Sequence, residues 1–233
     1  MKKIIAPMML GLVLATGATA QTPTGSVGYP PAWSPFRDLE QTQELTVFGG
    51  HYHAHRDPAG VAPQGGAAFG VHYEWRAAGP LELIGEITRS SSERNVLNPA
   101  KVGAARTLGT ENRPLYAGDI GLGLSLTGGK SWRSFVPEVS SGIGLISDFR
   151  QQVDSGGFRF GTRFAFNVGA GLKYVPVGRW QVRADIKDRM YTIAYPETYY
   201  IAPVGGTAVL SPAQARSFWT HNPQFTLGLS YLF

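Results

Sequence analysis

Asn222-Pro-Gln-Phe-Thr-Leu-Gly-Leu-Ser-Tyr-Leu-Phe233 decides the fold. In an extended chain side chains alternate with period two, so Phe225, Leu227, Leu229, Tyr231 and Phe233 share one face. Gln224, Thr226, Gly228 and Ser230 share the other. An apolar band backed by a polar face is the pattern of a strand with hydrocarbon on one side and a polar interior on the other.

The same alternation recurs upstream. Leu45 and Val47 oppose Glu44 and Thr46; Ala67, Phe69, Val71, Tyr73 and Trp75 oppose Ala68, Gly70, His72, Glu74 and Arg76; and Leu81, Leu83 and Ile87 oppose Glu82, Glu86 and Thr88. Tyr116, Ile120, Leu122, Leu124 and Leu126 then oppose Asp119, Gly121, Gly123 and Ser125, and Phe135, Val139, Ile143 and Leu145 oppose Ser134, Glu138, Ser140, Gly142 and Gly144. In the sixth segment Phe158, Phe160, Phe164, Phe166, Val168, Leu172 and Tyr174 are set against Arg159, Arg163, Asn167, Gly169 and Lys173. The seventh sets Trp180, Val182, Ala184 and Ile186 against Gln181, Arg183, Asp185 and Lys187. With the terminal strand this makes eight, an even number as a closed antiparallel bacterial barrel requires.

The connections sort by length. Ala77–Pro80, Gly128–Arg133 and Pro176–Arg179 are tight, whereas His53–Gly65, Ser90–Arg113, Gln151–Gly157 and Tyr191–His221 are longer, and the two kinds alternate. Outer-membrane barrels have this asymmetry, with short periplasmic turns and long extracellular loops. A soluble sandwich would turn its apolar faces inward and has no reason to sort its loops. The expected fold is therefore all-β, an eight-stranded antiparallel up-and-down transmembrane barrel over residues 43–233, with both termini periplasmic.

Upstream of the barrel, Lys2 and Lys3 precede the apolar run Ile4–Leu14, and Ala18-Thr19-Ala20 offers small residues for cleavage. Residues 1–20 read as a signal peptide, too short for a transmembrane helix of ~20 apolar residues. Residues 21–42 carry Pro23, Pro30, Pro31 and Pro35 among Tyr29, Trp33 and Phe36, and read as a periplasmic linker or arm without regular structure, with a segment packed into the barrel mouth as the alternative.

Composition excludes several classes. Charged residues make up only 16% of the chain, against about a quarter in soluble domains. The formal charge of +5 falls to +3 without Lys2 and Lys3, too little and too dispersed for nucleic acid. No cysteine is present, which excludes a disulfide scaffold and a lipid-modified cysteine. No cofactor motif is recognised; Gly121-Leu-Gly123 lies on a strand face and is no nucleotide loop.

These features together resemble the small outer-membrane β-barrel superfamily, which includes the membrane domain of outer membrane protein A. The signal peptide, the eight strands, the loop alternation, the terminal Tyr231-Leu232-Phe233 and the hairpin from Asn167-Val-Gly-Ala-Gly-Leu-Lys-Tyr174 to Val182-Arg-Ala-Asp185 carry the resemblance. It implies a Gram-negative cell envelope, surrounding lipid and lipopolysaccharide, and Tyr231 and Phe233 as the assembly signal read by the barrel-insertion machinery. It implies no particular activity, because one scaffold hosts many.

Candidate chemistry is sparse. The inward face carries Glu82, Glu86, Asp119, Glu138 and Asp185 against Arg159, Arg163, Lys173, Arg183 and Lys187, a set expected to pair into a plug, with Glu82 and Glu86 as partners of Arg163 or Arg183. His51, His53 and His55, at i, i+2 and i+4, fall on one face of an extended strand and are candidate metal ligands. His221 lacks a serine at the short spacing of the lipid A deacylases, with Ser217 a distant substitute. Arg89, Arg94, Lys101, Arg106 and Arg113 in the loop around residues 90–113 are candidates for lipopolysaccharide phosphates. Tyr191, Tyr195, Tyr199, Tyr200, Phe218 and Trp219 in the 191–221 loop offer a contact surface. The expected role is non-enzymatic, structural or surface-interacting, with a narrow transporter or ligand binder and a lipid-modifying enzyme as alternatives.

Overall fold

The computed structural model describes residues 34–233. The expected signal peptide and most of the expected arm lie outside the described residues.

Twelve strands follow in chain order: β1 (Phe36–Asp38), β2 (Gln43–Tyr52), β3 (Gly66–Ala78), β4 (Leu81–Ser90), β5 (Glu93–Leu97), β6 (Thr107–Asn112), β7 (Leu115–Ser125), β8 (Lys130–Trp132), β9 (Phe135–Ser147), β10 (Thr162–Tyr174), β11 (Trp180–Ala194) and β12 (Ser217–Leu232). Eight of them, β2, β3, β4, β7, β9, β10, β11 and β12, pair antiparallel with their neighbours in a ring. The ring closes where β12 meets β2, with Leu232 opposite Glu44 and Gln224 opposite Tyr52. Gln43 and Phe233 exchange both backbone hydrogen bonds, at 3.1 and 3.0 Å. Closure leaves the barrel no free edge, which hydrocarbon would penalise by several kcal/mol for each unpaired group.

The outer face is the apolar one. Val47, Phe69, Ile87, Ile120, Leu145, Phe164, Ile186 and Leu227 are all exposed. A continuous apolar belt of this kind far exceeds the few hundred Å² found on soluble monomers and is stable against lipid chains. Aromatic pairs edge the belt at both ends. Phe135 with Tyr174 and Trp180 with Tyr231, each at 5.2 Å, mark the tight-turn end, and Tyr116 with Phe149 (5.3 Å) and Phe166 with Trp219 (5.8 Å) mark the loop end.

Three elements depart from the expected pattern. First, β11 and β12 stay paired from Trp180–Tyr231 to Ala194–Ser217, so the last loop is residues 195–216, shorter than Tyr191–His221. At roughly 3.3 Å per residue such strands exceed what a bilayer needs and carry the sheet beyond it. Second, the arm is not wholly irregular: β1 pairs with β8 at the edge of a tight turn, Phe36 opposite Trp132, and Arg133 N donates to Pro35 O at 2.8 Å. Third, β10 begins at Thr162, not at Phe158. Gly161 has a φ of 65°, in the left-handed region, and breaks the alternation, so Phe160 turns inward instead of facing lipid. Phe158 (0% exposed) and Phe160 (2%) are buried.

Glycines thin the inner wall where long side chains cross it. Gly121 and Gly142 are directly paired between β7 and β9. A Cβ on Gly142 would lie 2.5 Å from Ile120 O and 3.0 Å from Gly121 Cα. Gly142→Val should therefore destabilise the barrel by about 1–3 kcal/mol through overpacking. Gly85→Ala, whose added methyl meets nothing within 4 Å, should change little. Urea midpoints for unfolding from lipid vesicles, read by heat-modifiable gel mobility, check both.

Candidate functional site

The barrel interior has two zones. Toward the tight turns it is filled with charge, and toward the loops it is filled with aromatic and aliphatic side chains.

Two cations organise the lower zone. Arg183 of β11 reaches Glu44 (3.0 Å), Glu74 (3.2 Å), Asp185 (2.9 Å) and Glu138. Lys173 of β10 reaches Glu138 (2.7 Å), Glu82 (3.4 Å), Glu44 (3.5 Å) and Glu74. These contacts join β2, β3, β4, β9, β10 and β11 across the lumen. Thr46 donates to Glu44 at 2.8 Å, supporting the cluster from its own strand. Among the described residues, Glu74, Glu82 and Glu138 are the one group of three or more potential ligands whose atoms lie within 4.8 Å of one another. Lys173 Nζ already contacts all three, so the ammonium stands where a metal ion would sit.

Higher in the lumen, Lys187 meets Glu86 at 2.6 Å, and Arg189 meets Asp119 at 2.5 Å and Gln224 at 3.0 Å. His72 lies between Glu86 (3.2 Å) and Glu74 (3.4 Å). Glu82, Glu86, Asp119, Glu138, Arg183 and Asp185 thus face the lumen as their strand phase requires. Arg163 does not join them: it is half-buried at the loop end and donates to Phe160 O (2.8 Å) and Arg159 O (3.2 Å). Arg159 is exposed, because it precedes β10 and belongs to a loop. Glu82 and Glu86 consequently pair with Lys173 and Lys187, not with Arg163 or Arg183. Glu44, Glu74, His72 and Arg189 also belong to the network, beyond the residues expected from the sequence. Their signal was phase: Arg189 continues the inward series Arg183, Asp185, Lys187 once β11 is extended.

The upper zone is a cap built from all four loops. Tyr52 and Tyr191 meet hydroxyl to hydroxyl at 2.9 Å across the barrel mouth, and Phe160 stands edge-on to Tyr191 at 5.6 Å. Above them Tyr195 stacks on Tyr199 (5.8 Å) and on Phe218 (5.9 Å), with Phe158 at 6.1 Å from Tyr195. Val61, Leu97 and Leu210 complete this core. Asp57 accepts the Tyr195 hydroxyl at 2.6 Å and the amides of Val61 and Ala62. Burial, reinforced by that carboxylate, pushes the Tyr195 hydroxyl up.

Most aromatics of the last loop are therefore internal cement, while Trp219 stays exposed on the outer wall. The basic loop set is corrected likewise. Arg94 is 2% exposed, bound to Asp154 (3.1 Å) and Glu111 (3.5 Å) and lying 5.6 Å over the Phe158 ring. Arg113 is also engaged by Glu111. Arg89, Lys101 and Arg106 remain toward the surface.

On the outer wall, Tyr231 and Phe233 are exposed and stack at 6.4 Å. His51, His53 and His55 are exposed, alternating with buried Tyr52 and Ala54. His221 Nδ1 lies 2.6 Å from Asp188 Oδ2. Ser217 is four residues along β12 from His221, roughly 13 Å at strand spacing, out of reach of its ring.

No protein-family model matches the sequence, and no curated protein matches it. Among solved structures, the chain is similar to Neisserial surface protein A (NspA), with 10% identity and a TM-score of 0.49 over 82% of this chain and 97% of that one. It is similar also to the outer membrane protein OprG from Pseudomonas aeruginosa, with 14% identity and a TM-score of 0.48 over 83% and 97%. The N-terminal β-barrel domain of Pseudomonas aeruginosa OprF gives 15% identity and a TM-score of 0.45 over 83% and 98%.

Two outcomes follow from the two zones. Arg183→Leu leaves Asp185 without its cation and Glu44, Glu74 and Glu138 with Lys173 as the remaining lysine or arginine, and should cost about 3–5 kcal/mol in a urea titration of the vesicle-inserted protein, where an unchanged midpoint would contradict the network. In the cap, the hydrogen bond from Arg113, with Arg150 and Arg94 nearby, holds the Glu111 carboxyl below the usual carboxylate range. A carboxyl lowered by folding stabilises the cap above its unfolded pKa, and this contribution is lost as pH falls through the folded value. Limited proteolysis of residues 148–161 should accelerate on that acid side, and less so in Glu111→Gln.

Proposed function

We propose that the protein is an integral outer-membrane barrel acting as a non-conducting anchor, with its tight turns toward the periplasm and its four-loop cap outside. Its role on this reading is non-enzymatic, structural for the envelope or interacting at the surface. The observation that carries it is a lumen closed twice in series, by paired charge below and by an apolar cap above. Two voids inside the charged zone measure about 20 and 30 Å³, each room for a water or two at ~10–15 Å³ apiece.

The cap supplies the contact surface in this reading. Its outer side carries exposed Val102, Ile201 and Val204 beside a groove lined by Asn98, Pro99, Asp154, Gly156 and Pro203. Apolar tips on a well-packed support suit recognition, since little ordering remains to be done on binding. Arg89, Lys101 and Arg106 are the cations left to meet lipopolysaccharide phosphates, and Tyr231 with Phe233 the pair offered to the insertion machinery.

Reconstituted into planar bilayers, the protein should give little steady conductance across the accessible voltage range. Large stable channels would overturn the non-conducting reading.

A further inference from the structure

Four of the five histidines lie exposed on the outer wall near the loop end of the β2–β12 seam, drawn from two separate segments. The register that sets Gln224 opposite Tyr52 continues past the end of β2. His53 N donates to Pro223 O at 2.8 Å, and His55 N donates to Asn222 Oδ1 at 3.1 Å. Tyr52, Ala54, Asn222 and Gln224 are buried, so His53, His55 and His221 face outward. Carried one pair beyond His53, this register would set His55 across from His221 with His53 on the diagonal, although the His55 amide bonds the Asn222 side chain and not the His221 carbonyl, so the two strands begin to part there. Directly opposed residues hold their Cβ atoms about 4.5–5.5 Å apart, a span that two imidazoles bridge through one ion at ~2.0–2.1 Å per bond.

His221 is already held as a ligand should be. Asp188, on the neighbouring β11, takes the Nδ1 side of the ring at 2.6 Å, and its second oxygen accepts the Asn222 amide at 2.7 Å. The carboxylate is thereby fixed from two directions. Nε2 is left on the outside of a side chain that is 69% exposed. A carboxylate behind a histidine whose far nitrogen is free is the arrangement that orients metal-bound imidazoles.

We propose that His221 and His55, with His53 as third ligand and Asp188 as the positioning group, form a surface site for a divalent transition ion of the zinc, nickel and copper class. These rings do not stand within 4.8 Å of one another as a set of three in this structure, so binding requires the exposed rings of His53 and His55 to rotate onto the fixed ring of His221, with water completing the coordination. Calcium and magnesium are poor candidates, because both prefer oxygen ligands. The site stands on the outer wall and does not depend on whether the lumen conducts.

The test is calorimetric titration of zinc sulfate into the full chain, purified without a histidine tag and folded in detergent micelles. One ion per barrel is expected, with affinity weakened at least about tenfold in His221→Ala and in His55→Ala, and about 10–100-fold in Asp188→Asn. His51→Ala, opposite Phe225 and outside the ligand set, should bind as the parent does. Heat-modifiable gel mobility verifies that each variant is folded. Absence of binding heat, or binding that survives both His221→Ala and His55→Ala in folded protein, would overturn the proposal. So would a loss in His51→Ala as large as in His221→Ala.

Discussion

Arg183 and Lys173 are two buried cations shared among Glu44, Glu74, Glu82, Glu138 and Asp185, and the barrel's lower half depends on them. An eight-stranded barrel has an interior only wide enough for its own side chains, so whatever faces inward must satisfy itself there. Charges do this only in company, because a buried ion without its partner is far costlier than the pair is stabilising. The cations come from β10 and β11, and four of the acids come from β2, β3, β4 and β9. The pairs to Glu44, Glu74 and Glu82 therefore tie together strands that are not neighbours in the sheet, whereas Lys173–Glu138 joins adjacent strands and Arg183–Asp185 lies within β11. The glycine pair Gly121–Gly142 answers the same demand, since a wall without side chains makes room for long ones from the opposite side.

Above that network the interior changes character. Tyr52, Phe158, Phe160, Tyr191, Tyr195 and Tyr199 form an apolar core of the kind a small soluble domain would own. The molecule is thus inside-out through the bilayer and right-side-in beyond it. The long β11–β12 hairpin makes the second part possible by carrying ordered sheet past the lipid, and Asp57, Arg94 and Asp154 pin the loops onto it. Four long loops that share one core lose most of their freedom, so the outer surface is a defined shape and not a set of independent tethers.

Strand phase was legible in the residues, and the register of the barrel followed it closely, down to Phe233 closing on Gln43. Alternation works because lipid on one side and a narrow lumen on the other constrain every residue of a strand. It failed where those constraints stop. Phe158 and Phe160 continue the period of β10 but precede Gly161, whose φ of 65° turns the chain, and they pack into the cap. Composition alone places Arg94 and the tyrosines of the last loop at the surface, whereas their burial depends on partners in other loops, which no local pattern records. Arg163 departs for the opposite reason: its phase is inward, yet it lies above the charged zone, where its guanidinium bonds backbone carbonyls and, among the described residues, forms no ion pair. The histidines repeat this lesson, because His51, His53 and His55 were visible as a stripe while His221 and Asp188 became their neighbours only through the seam and the β11–β12 pairing.

The most direct test of the charged lumen is solid-state NMR on isotopically labelled protein in lipid bilayers, reading through-space contacts from side-chain nitrogens to carboxyl carbons. The account predicts contacts from Lys173 Nζ to the Glu82 and Glu138 carboxyls and from the Arg183 guanidinium to Glu44 and Glu138, with Lys173 protected from exchange with bulk water. Freely exchanging Lys173 and Arg183 signals, without carboxyl contacts, would contradict it.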